Sequence, residues 1–434
     1  MTPVLDTRTA STPTLPQPVG ARAGAFGNAT HLVCRACGAT SALGPFYACL
    51  ECFGPLEVGY TYPAITREQI EAGPNSIWRY ASLLPVPADI ETFPSTDPGY
   101  TRLIDAGNLA ADLGLRKLWV KDDSGNPTHS FKDRVVAVAL SAARELGLQV
   151  LACPSTGNLA NAVAAAAARA GIRSVVLVPS NLEKQKILAS AVYDTTLIAV
   201  EGNYDDVNKL ASEIAGEEEG WAFVNVNVRP YYAEGSKTLA FEIAEQLGWR
   251  LPDQIVIPVA SGAQLTKIDK GFNELITLGL VPDKPVKIFG AQATGCSPVA
   301  AAFRAGLDVV APVKPDTIAK SLAIGNPADG PYVLDVVRRT GGVVADVDDA
   351  AVVDGIQRLA RTEGVFGETA GGVTISVTAK LINDGVLDPE AETVVINSGD
   401  GLKTLDAVSD RVGPKITIRP SYQAFTDFWE ETNR

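Results

Sequence analysis

The sequence predicts an α/β protein, with mainly parallel sheets covered on both faces by helices. From Lys117 onward, short apolar runs alternate with runs of helical length, the signature of successive strand–helix units. The composition is 46% hydrophobic, 20% charged and 7% aromatic, which is ordinary for a globular protein, and 434 residues are enough for two or three domains. The most apolar run, residues 159–170, is mostly alanine and contains Asn161 and Arg169, so it does not read as a membrane span. A net charge of −13 argues against nucleic acid or an anionic membrane as the main partner, since both reward a basic surface.

Residues 1–30 are rich in Pro, Thr and Ala without an apolar leader core, and read as a disordered tail on a cytoplasmic protein. Residues 31–60 carry four of the six cysteines. Cys34-x-x-Cys37 and Cys49-x-x-Cys52, eleven residues apart, have the spacing of two knuckles meeting at a tetrahedral metal, with Gly38, Gly44, Pro45, Gly54 and Pro55 as turn residues. A small zinc-ribbon-like segment is expected there. Such ribbons often serve nucleic-acid machinery, but Arg35 is the only basic residue between these cysteines.

Residues 61–116 read as a linker and the start of a larger domain; within them, 63–101 is an irregular arm with a short helix at 65–72. The regular alternation then pairs a strand at 118–121 with a helix at 131–146, 149–153 with 158–170, 174–178 with 182–192, and 196–200 with 204–215. It continues with 222–224 and 234–247, 254–258 and 264–278, and 286–290 and 297–305. Helices at 332–339, 348–362 and 371–384 and strands at 343–346 and 393–396 complete the series. The region 117–240 is expected to include a smaller subdomain, 241–412 to form the large domain, and 413–434 a C-terminal tail without an assigned role.

Parallel sheets bind ligands where their strands end, so the strand-to-helix turns should carry the chemistry. In the first such turn, Lys132 sits just inside a helix start whose following face is Val136, Ala139 and Ala143. Ser130 and Asp133 have the S-x-x-D spacing of a capping box. The helix macrodipole and burial both disfavour an ammonium there, and a free amine can form a Schiff base. The turn Cys153-Pro154-Ser155-Thr156-Gly157-Asn158 offers hydroxyls and helix-start amides to a carboxylate, with the Asn158 amide beside them. Residues 258–266, containing Ser261-Gly262-Ala263-Gln264-Leu265, are small enough for backbone amides to close around a phosphate. In Asn397-Ser398-Gly399-Asp400-Gly401-Leu402-Lys403, Ser398 or Asp400 is placed to meet a ring nitrogen. An amine, a carboxylate seat, a phosphate cradle and a ring-nitrogen partner together describe a pyridoxal-phosphate site.

In order and spacing these turns resemble the fold-type II pyridoxal-phosphate enzymes, and within them the threonine synthases. Asn126-Pro127-Thr128-His129-Ser130-Phe131-Lys132-Asp133-Arg134 is similar to the family's lysine motif, and Ser155-Thr156-Gly157-Asn158 to its asparagine loop. Glu234-Gly235-Ser236-Lys237-Thr238, Glu368-Thr369-Ala370-Gly371-Gly372 and residues 398–403 resemble later family segments. The resemblance covers about residues 79–404, and a four-cysteine ribbon also occurs in some members. It implies a homodimer that converts O-phospho-L-homoserine and water to L-threonine and phosphate, with Lys132 as Schiff-base residue and proton shuttle. It further implies that Phe131, Lys132, Asn158, residues Ser261 through Leu265 and Ser398 hold the cofactor, Asn158 at its phenolic oxygen and Ser398 at its ring nitrogen. Residues 241–412 would be the domain holding the cofactor phosphate. Thr128, Ser130, Ser155, Thr156 and Gly157 would meet the substrate, with Lys184, Lys186, Arg229 and, as first choice, Lys237 as cations for its phosphate. Departures from the family pattern fall at His129 and Val135, where glycine is usual, at residues 261–265, and at Arg229-Pro230-Tyr231-Tyr232, which lacks an arginine found after the proline in many relatives. The nearest rivals are a cysteate synthase acting on phosphoserine and a serine/threonine dehydratase; a zinc-ribbon binding module with a decayed enzyme domain is the rival of a different class.

Overall fold

In a computed structural model, residues 24–155, 157–180, 184–202 and 204–432 are described, without the side chains of residues 184–186, 204 and 205. These residues form three sheets. The largest has six strands in the order Val344–Val347, Lys287–Ala293, Gln254–Pro258, Glu392–Asn397, Lys117–Asp122 and Arg102–Asp105, all parallel except the last. A four-stranded parallel sheet runs Thr196–Val200, Arg173–Pro179, Val150–Pro154 and Trp221–Phe223. The α/β expectation holds, and the larger sheet draws its strands from both ends of the chain. Pairing of Ile396 with Lys121 and Asn397 with Asp122 sets the carboxyl ends of two strands, 275 residues apart in sequence, side by side. The turns that follow them are thereby brought into one place.

The third sheet is antiparallel and N-terminal, with Ala29–Cys34 between Thr40–Ser41 and Leu56–Tyr60. Order begins earlier than the expected tail boundary at residue 30: Ala25 and Phe26 are buried, and Phe26 stacks on Tyr231 with ring centroids 5.2 Å apart. The expectation for residues 1–23 lies outside the described residues. Residues 63–101 are no simple linker either. Ile77–Leu83 forms a 3-10 helix whose Ile77, Trp78, Tyr80 and Leu83 are 3% exposed or less, so this arm contributes to the core.

Helix boundaries fall close to the apolar periods, as in Asn158–Ala170 and Ala263–Thr277. The expected helix at 234–247 instead divides into Arg229–Glu234 and Lys237–Gln246. Gly235 between them packs so closely that a Cβ would lie 2.7 Å from the Val135 backbone, which draws this bend onto the lysine helix Lys132–Glu145.

Two buried charge networks lock the elements around that helix. Arg134, fully buried, donates from Nε to Asp123 (2.8 Å) and from Nη2 to Glu242 (2.8 Å), while Lys121 lies 2.7 Å from Glu242. Burial alone would push the Glu242 carboxyl up, but Arg134 and Lys121 outweigh it and hold it at about 2. The second network joins the N-terminal sheet to helices Arg229–Glu234, Lys237–Gln246 and Ala263–Thr277. Tyr60 donates to Glu234 (2.6 Å), Glu234 pairs with Lys237 (2.7 Å), Lys267 (2.5 Å) and Lys270 (3.1 Å), and Lys267 also meets Glu57.

Candidate active site

Four strands of the two parallel sheets point their carboxyl ends at one cavity. Its wall includes Ser130, Phe131 and Lys132 from the turn after Lys117–Asp122, Asn158 from the turn after Val150–Pro154, Ser261, Gly262, Ala263 and Gln264 from the turn after Gln254–Pro258, and Ser398 from the turn after Glu392–Asn397. Residues from Ser130 to Ser398 meet because parallel strands release their helices on the same side of the sheet.

Lys132 is half-buried, with its ammonium 5.2 Å from the Phe131 ring centroid and 5.8 Å from that of Tyr232. Its helix starts differently from the expected capping box. Thr128, not Ser130, partners Asp133: the Thr128 amide donates to Asp133 at 2.8 Å and its hydroxyl at 2.9 Å. Burial pushes the Asp133 carboxyl up to about 6, although these bonds pull the other way. Lys403 donates to the Thr128 carbonyl (2.6 Å) and to Asn161 (2.9 Å), tying the lysine turn to the asparagine helix. With amide, hydroxyl and carbonyl all engaged, Thr128 serves the turn rather than a substrate. The Ser130 hydroxyl is buried on the cavity wall with no hydrogen-bond partner among the described residues.

Across the cavity, Asn158 donates to Glu368 (2.8 Å) and the Ser398 hydroxyl donates to the other oxygen of the same carboxyl (2.9 Å). Burial raises the Glu368 pKa against these two bonds. Asp400 accepts from the Leu402 amide (2.8 Å), capping its own turn, so Ser398 is the one of the pair on the cavity wall. The turn 398–400 is stitched to the lysine turn: Phe131 donates to the Ser398 carbonyl (2.9 Å) and Asp400 to that of His129 (3.1 Å). His129 itself is exposed and left-handed, with φ 61°, a conformation glycine adopts at no cost.

The turn 261–264 can hold a phosphate. Gly262, at φ 96°, precedes a helix that starts without a side-chain cap, so amides at its first turn are left for a ligand. A Cβ at Gly262 would lie 2.9 Å from that of Asp329, which explains why the residue is glycine. Gln264 Nε2, like the Ser130 hydroxyl, is a buried polar atom on the same wall without a partner among the described residues. Unsatisfied donors on both sides of a cavity fit an anionic, polar-edged guest such as pyridoxal phosphate.

Other expected site residues lie elsewhere. Leu265 is fully buried and not on the wall. Ser155 accepts from the amides of Gly157 (3.2 Å) and Ala160 (3.1 Å), fixing the start of the asparagine helix; neither Ser155 nor Gly157 lines the cavity. Thr156 lies outside the described residues, as do the side chains of Lys184 and Lys186. Arg229 pairs with Asp329 at 2.5 Å. Lys237, the first choice for a substrate cation, is fully buried; its ammonium meets Glu234, Glu274 (3.1 Å) and the Leu83 carbonyl (2.9 Å), so it is committed to the charge network. Tyr232, Ser236, Ser321 and Glu368 join the wall without having been assigned a part. Ser236 and Glu368 stood in motifs that resembled family segments, whereas Ser321, in the 3-10 turn Lys320–Leu322, carries no local signal.

The four knuckle sulfurs lie within 4.8 Å of one another, with Cys34 and Cys52 3.5 Å apart and Cys37 and Cys49 3.8 Å apart. Sulfurs about 2.3 Å from a central zinc would be separated by about 3.8 Å. The Ala36 amide points to Cys34 Sγ and that of Glu51 to Cys49 Sγ, both at 3.4 Å, as knuckle amides do toward thiolates. The donor set fits zinc.

Residues 95–399 match the family model described as pyridoxal-phosphate dependent enzyme. The chain is 37% identical over 380 residues to the threonine synthase of Methanocaldococcus jannaschii, spanning 86% of this chain and 93% of that one. It is 36% identical to the threonine synthase of Methanosarcina acetivorans, over 88% of this chain and 94% of that one. Among solved structures, maize serine racemase superposes with a TM-score of 0.59 at 22% identity, covering 77% of this chain and 94% of that one. The processed threonine deaminase isoform 2 of Solanum lycopersicum gives 0.60 at 20% identity, covering 82% and 99%. The last two likenesses speak for the fold alone, but the family match and the extent of the first two identities place this chain among the pyridoxal-phosphate dependent enzymes, in the threonine synthase family.

Proposed function

We propose that this protein converts O-phospho-L-homoserine and water to L-threonine and phosphate. The observation that carries the reading is the identity with threonine synthases over more than nine-tenths of their length, on a chain whose cavity gathers Lys132, Asn158, Ser398 and the turn 261–264. When bound, pyridoxal phosphate supplies the electron sink for the carbanionic chemistry. Residues Ser261 through Gln264 hold its phosphate, Asn158 its phenolic oxygen and Ser398 its ring nitrogen, with Phe131 beside it. To meet a neutral ring nitrogen, which only accepts, the Ser398 hydroxyl would turn toward it the single hydrogen that Glu368 otherwise accepts, adding no charge there.

With pyridoxal phosphate bound, Lys132 would be the residue that holds it, and its amine would move protons at the substrate Cα and Cβ as base and acid. Its half-buried position and the aromatic rings of Phe131 and Tyr232 keep the amine close to the reacting carbons and limit water there. Ser130, unpartnered beside it, is the hydroxyl left for substrate. Glu368 orients Asn158 by accepting one of its two amide hydrogens, which leaves the other for the cofactor. The cysteine knuckles hold a structural zinc, and the active assembly is a cytoplasmic homodimer.

Purified protein loaded with pyridoxal phosphate and incubated with phosphohomoserine should yield threonine and phosphate in equal amounts. Release of phosphate without threonine would contradict the reading. Turnover of phosphoserine with sulfite, but not of phosphohomoserine, would favour the cysteate synthase instead.

A further inference from the structure

Between the cysteine knuckles and the cofactor-phosphate turn lies a short chain of polar contacts that neither the zinc nor the cofactor reading requires. Arg35 follows Cys34 directly and is fixed there by its amide, which donates to the Pro55 carbonyl at 3.0 Å. Its guanidinium lies 3.7 Å over the Tyr332 ring and 3.4 Å from Asp329 Oδ1. Asp329 occupies the cap position before helix Gly330–Arg339, yet its carboxylate makes no capping bond. It is turned instead to two arginines, Arg35 on one oxygen and Arg229, at 2.5 Å, on the other. The Asp329 amide donates to the Ser261 carbonyl at 2.9 Å, and a Cβ at Gly262 would strike Val333 Cγ2 (2.7 Å) and the Asp329 Cβ (2.9 Å). Asp329 is 3% exposed, so the carboxylate is buried among these partners.

We propose that Arg35 is a positioning residue for the cofactor phosphate: the metal knuckle holds Arg35 over Tyr332, Arg35 and Arg229 clamp Asp329, and Asp329 fixes the turn Ser261–Gly262. This rests on the zinc and pyridoxal-phosphate readings above. The knuckle is itself tightly built, since a Cβ at Gly54 would lie 2.8 Å from that of Ala36 and 2.9 Å from Cys34 Sγ. Loss of the metal would free the segment carrying Arg35, and the effect would reach the active site as weaker retention of the cofactor while the chemistry at Lys132 is unchanged.

The test is a titration of cofactor-free full-length protein with pyridoxal phosphate, followed by the visible absorbance of the lysine-bound cofactor. Arg35→Ala should raise the Kd about fivefold, the scale of one partly buried ion pair, while kcat at saturating cofactor and KM for phosphohomoserine stay native. Arg35→Lys, which keeps the charge but not the stacking, should fall between. Tyr231→Phe removes the knuckle region's separate hydrogen bond to Gly44 (2.8 Å) without touching Asp329, and should bind cofactor normally. Stripping the metal from the native protein should weaken binding as Arg35→Ala does, and stripping it from Arg35→Ala should add little, because both act through one contact. Native affinity in metal-loaded Arg35→Ala overturns the proposal, whether or not its Tm falls. So does equal weakening by Tyr231→Phe, which would indicate general loosening of the ribbon. Absence of the lysine-bound absorbance in the native protein would instead refute the cofactor reading.

Discussion

At Lys132 the chain puts an amine between aromatic rings at the end of a parallel strand, opposite Asn158 and Ser398. Replacing it with alanine should abolish the lysine-bound absorbance and lower turnover at least about 1,000-fold, measured as threonine formed, because carrier and proton shuttle are lost together. Thr128 makes a contrasting prediction. Thr128→Val removes a hydroxyl that supports the buried Asp133 carboxylate, so it should destabilise by about 1–3 kcal/mol in urea titration and leave KM unchanged. The folded pKa of Asp133, about 6, lies above its ordinary 3.8, so ionising it costs stability as pH rises between those values. The Thr128 bonds hold that pKa down, and Thr128→Val should carry the loss to higher pH. The place of Asn158, Ser398 and the 261–264 turn on the cavity wall was legible because each follows a strand within a few residues, and that of Lys132, ten residues after its strand, because it opens the next helix. Lys237 was misread because its partners Glu274 and Leu83 lie 37 and 154 positions away, where no local pattern records them.

The lysine helix is anchored by the buried group of Asp123, Arg134, Lys121 and Glu242. Its charges balance, two acidic against two basic, which makes the burial tolerable only while all four are present. Arg134→Met leaves Asp123 without its cation and Glu242 with Lys121 alone, and should destabilise by about 3–5 kcal/mol, read from the urea midpoint at constant slope. Glu242 is held at about 2 against an ordinary 4.5, so its contribution is complete above about 4.5 and is lost as pH falls toward 2. Glu57, also held at about 2 because Lys267 and Lys270 outweigh its burial, adds to the same acid limb. Glu242→Gln should therefore flatten the fall of stability with pH over that window; an unchanged slope would place the acid sensitivity elsewhere. Apolar periodicity located most strands and helices, because burial on a helical face repeats every three or four residues. It overlooked the antiparallel edge strand Arg102–Asp105 and the 3-10 helix Ile77–Leu83, which are too short for a period to develop.

Over the whole molecule, the cysteine sheet is integrated with the enzyme fold. Tyr60 and Glu57 enter the Glu234 charge network, the Val58 carbonyl accepts from Lys270 (2.8 Å), and the Tyr231 hydroxyl accepts from the Gly44 amide. Deleting residues 24–60 would leave Glu234, Lys267 and Lys270 with partners missing, so the truncated chain should lose solubility or melt well below the full one. Calorimetry of the full protein should give a single transition for the cysteine sheet and the helices it docks on, whereas an independent binding module would melt separately. This integration was not legible in the cysteine spacing, which encodes a local knuckle but not what it docks on. The central claim is tested most directly by incubating the pyridoxal-phosphate-loaded protein with O-phospho-L-homoserine and, separately, O-phosphoserine, and measuring threonine and phosphate. The account predicts equal release of both from phosphohomoserine, lost in Lys132→Ala; turnover of phosphoserine alone, or no threonine from phosphohomoserine, would contradict it.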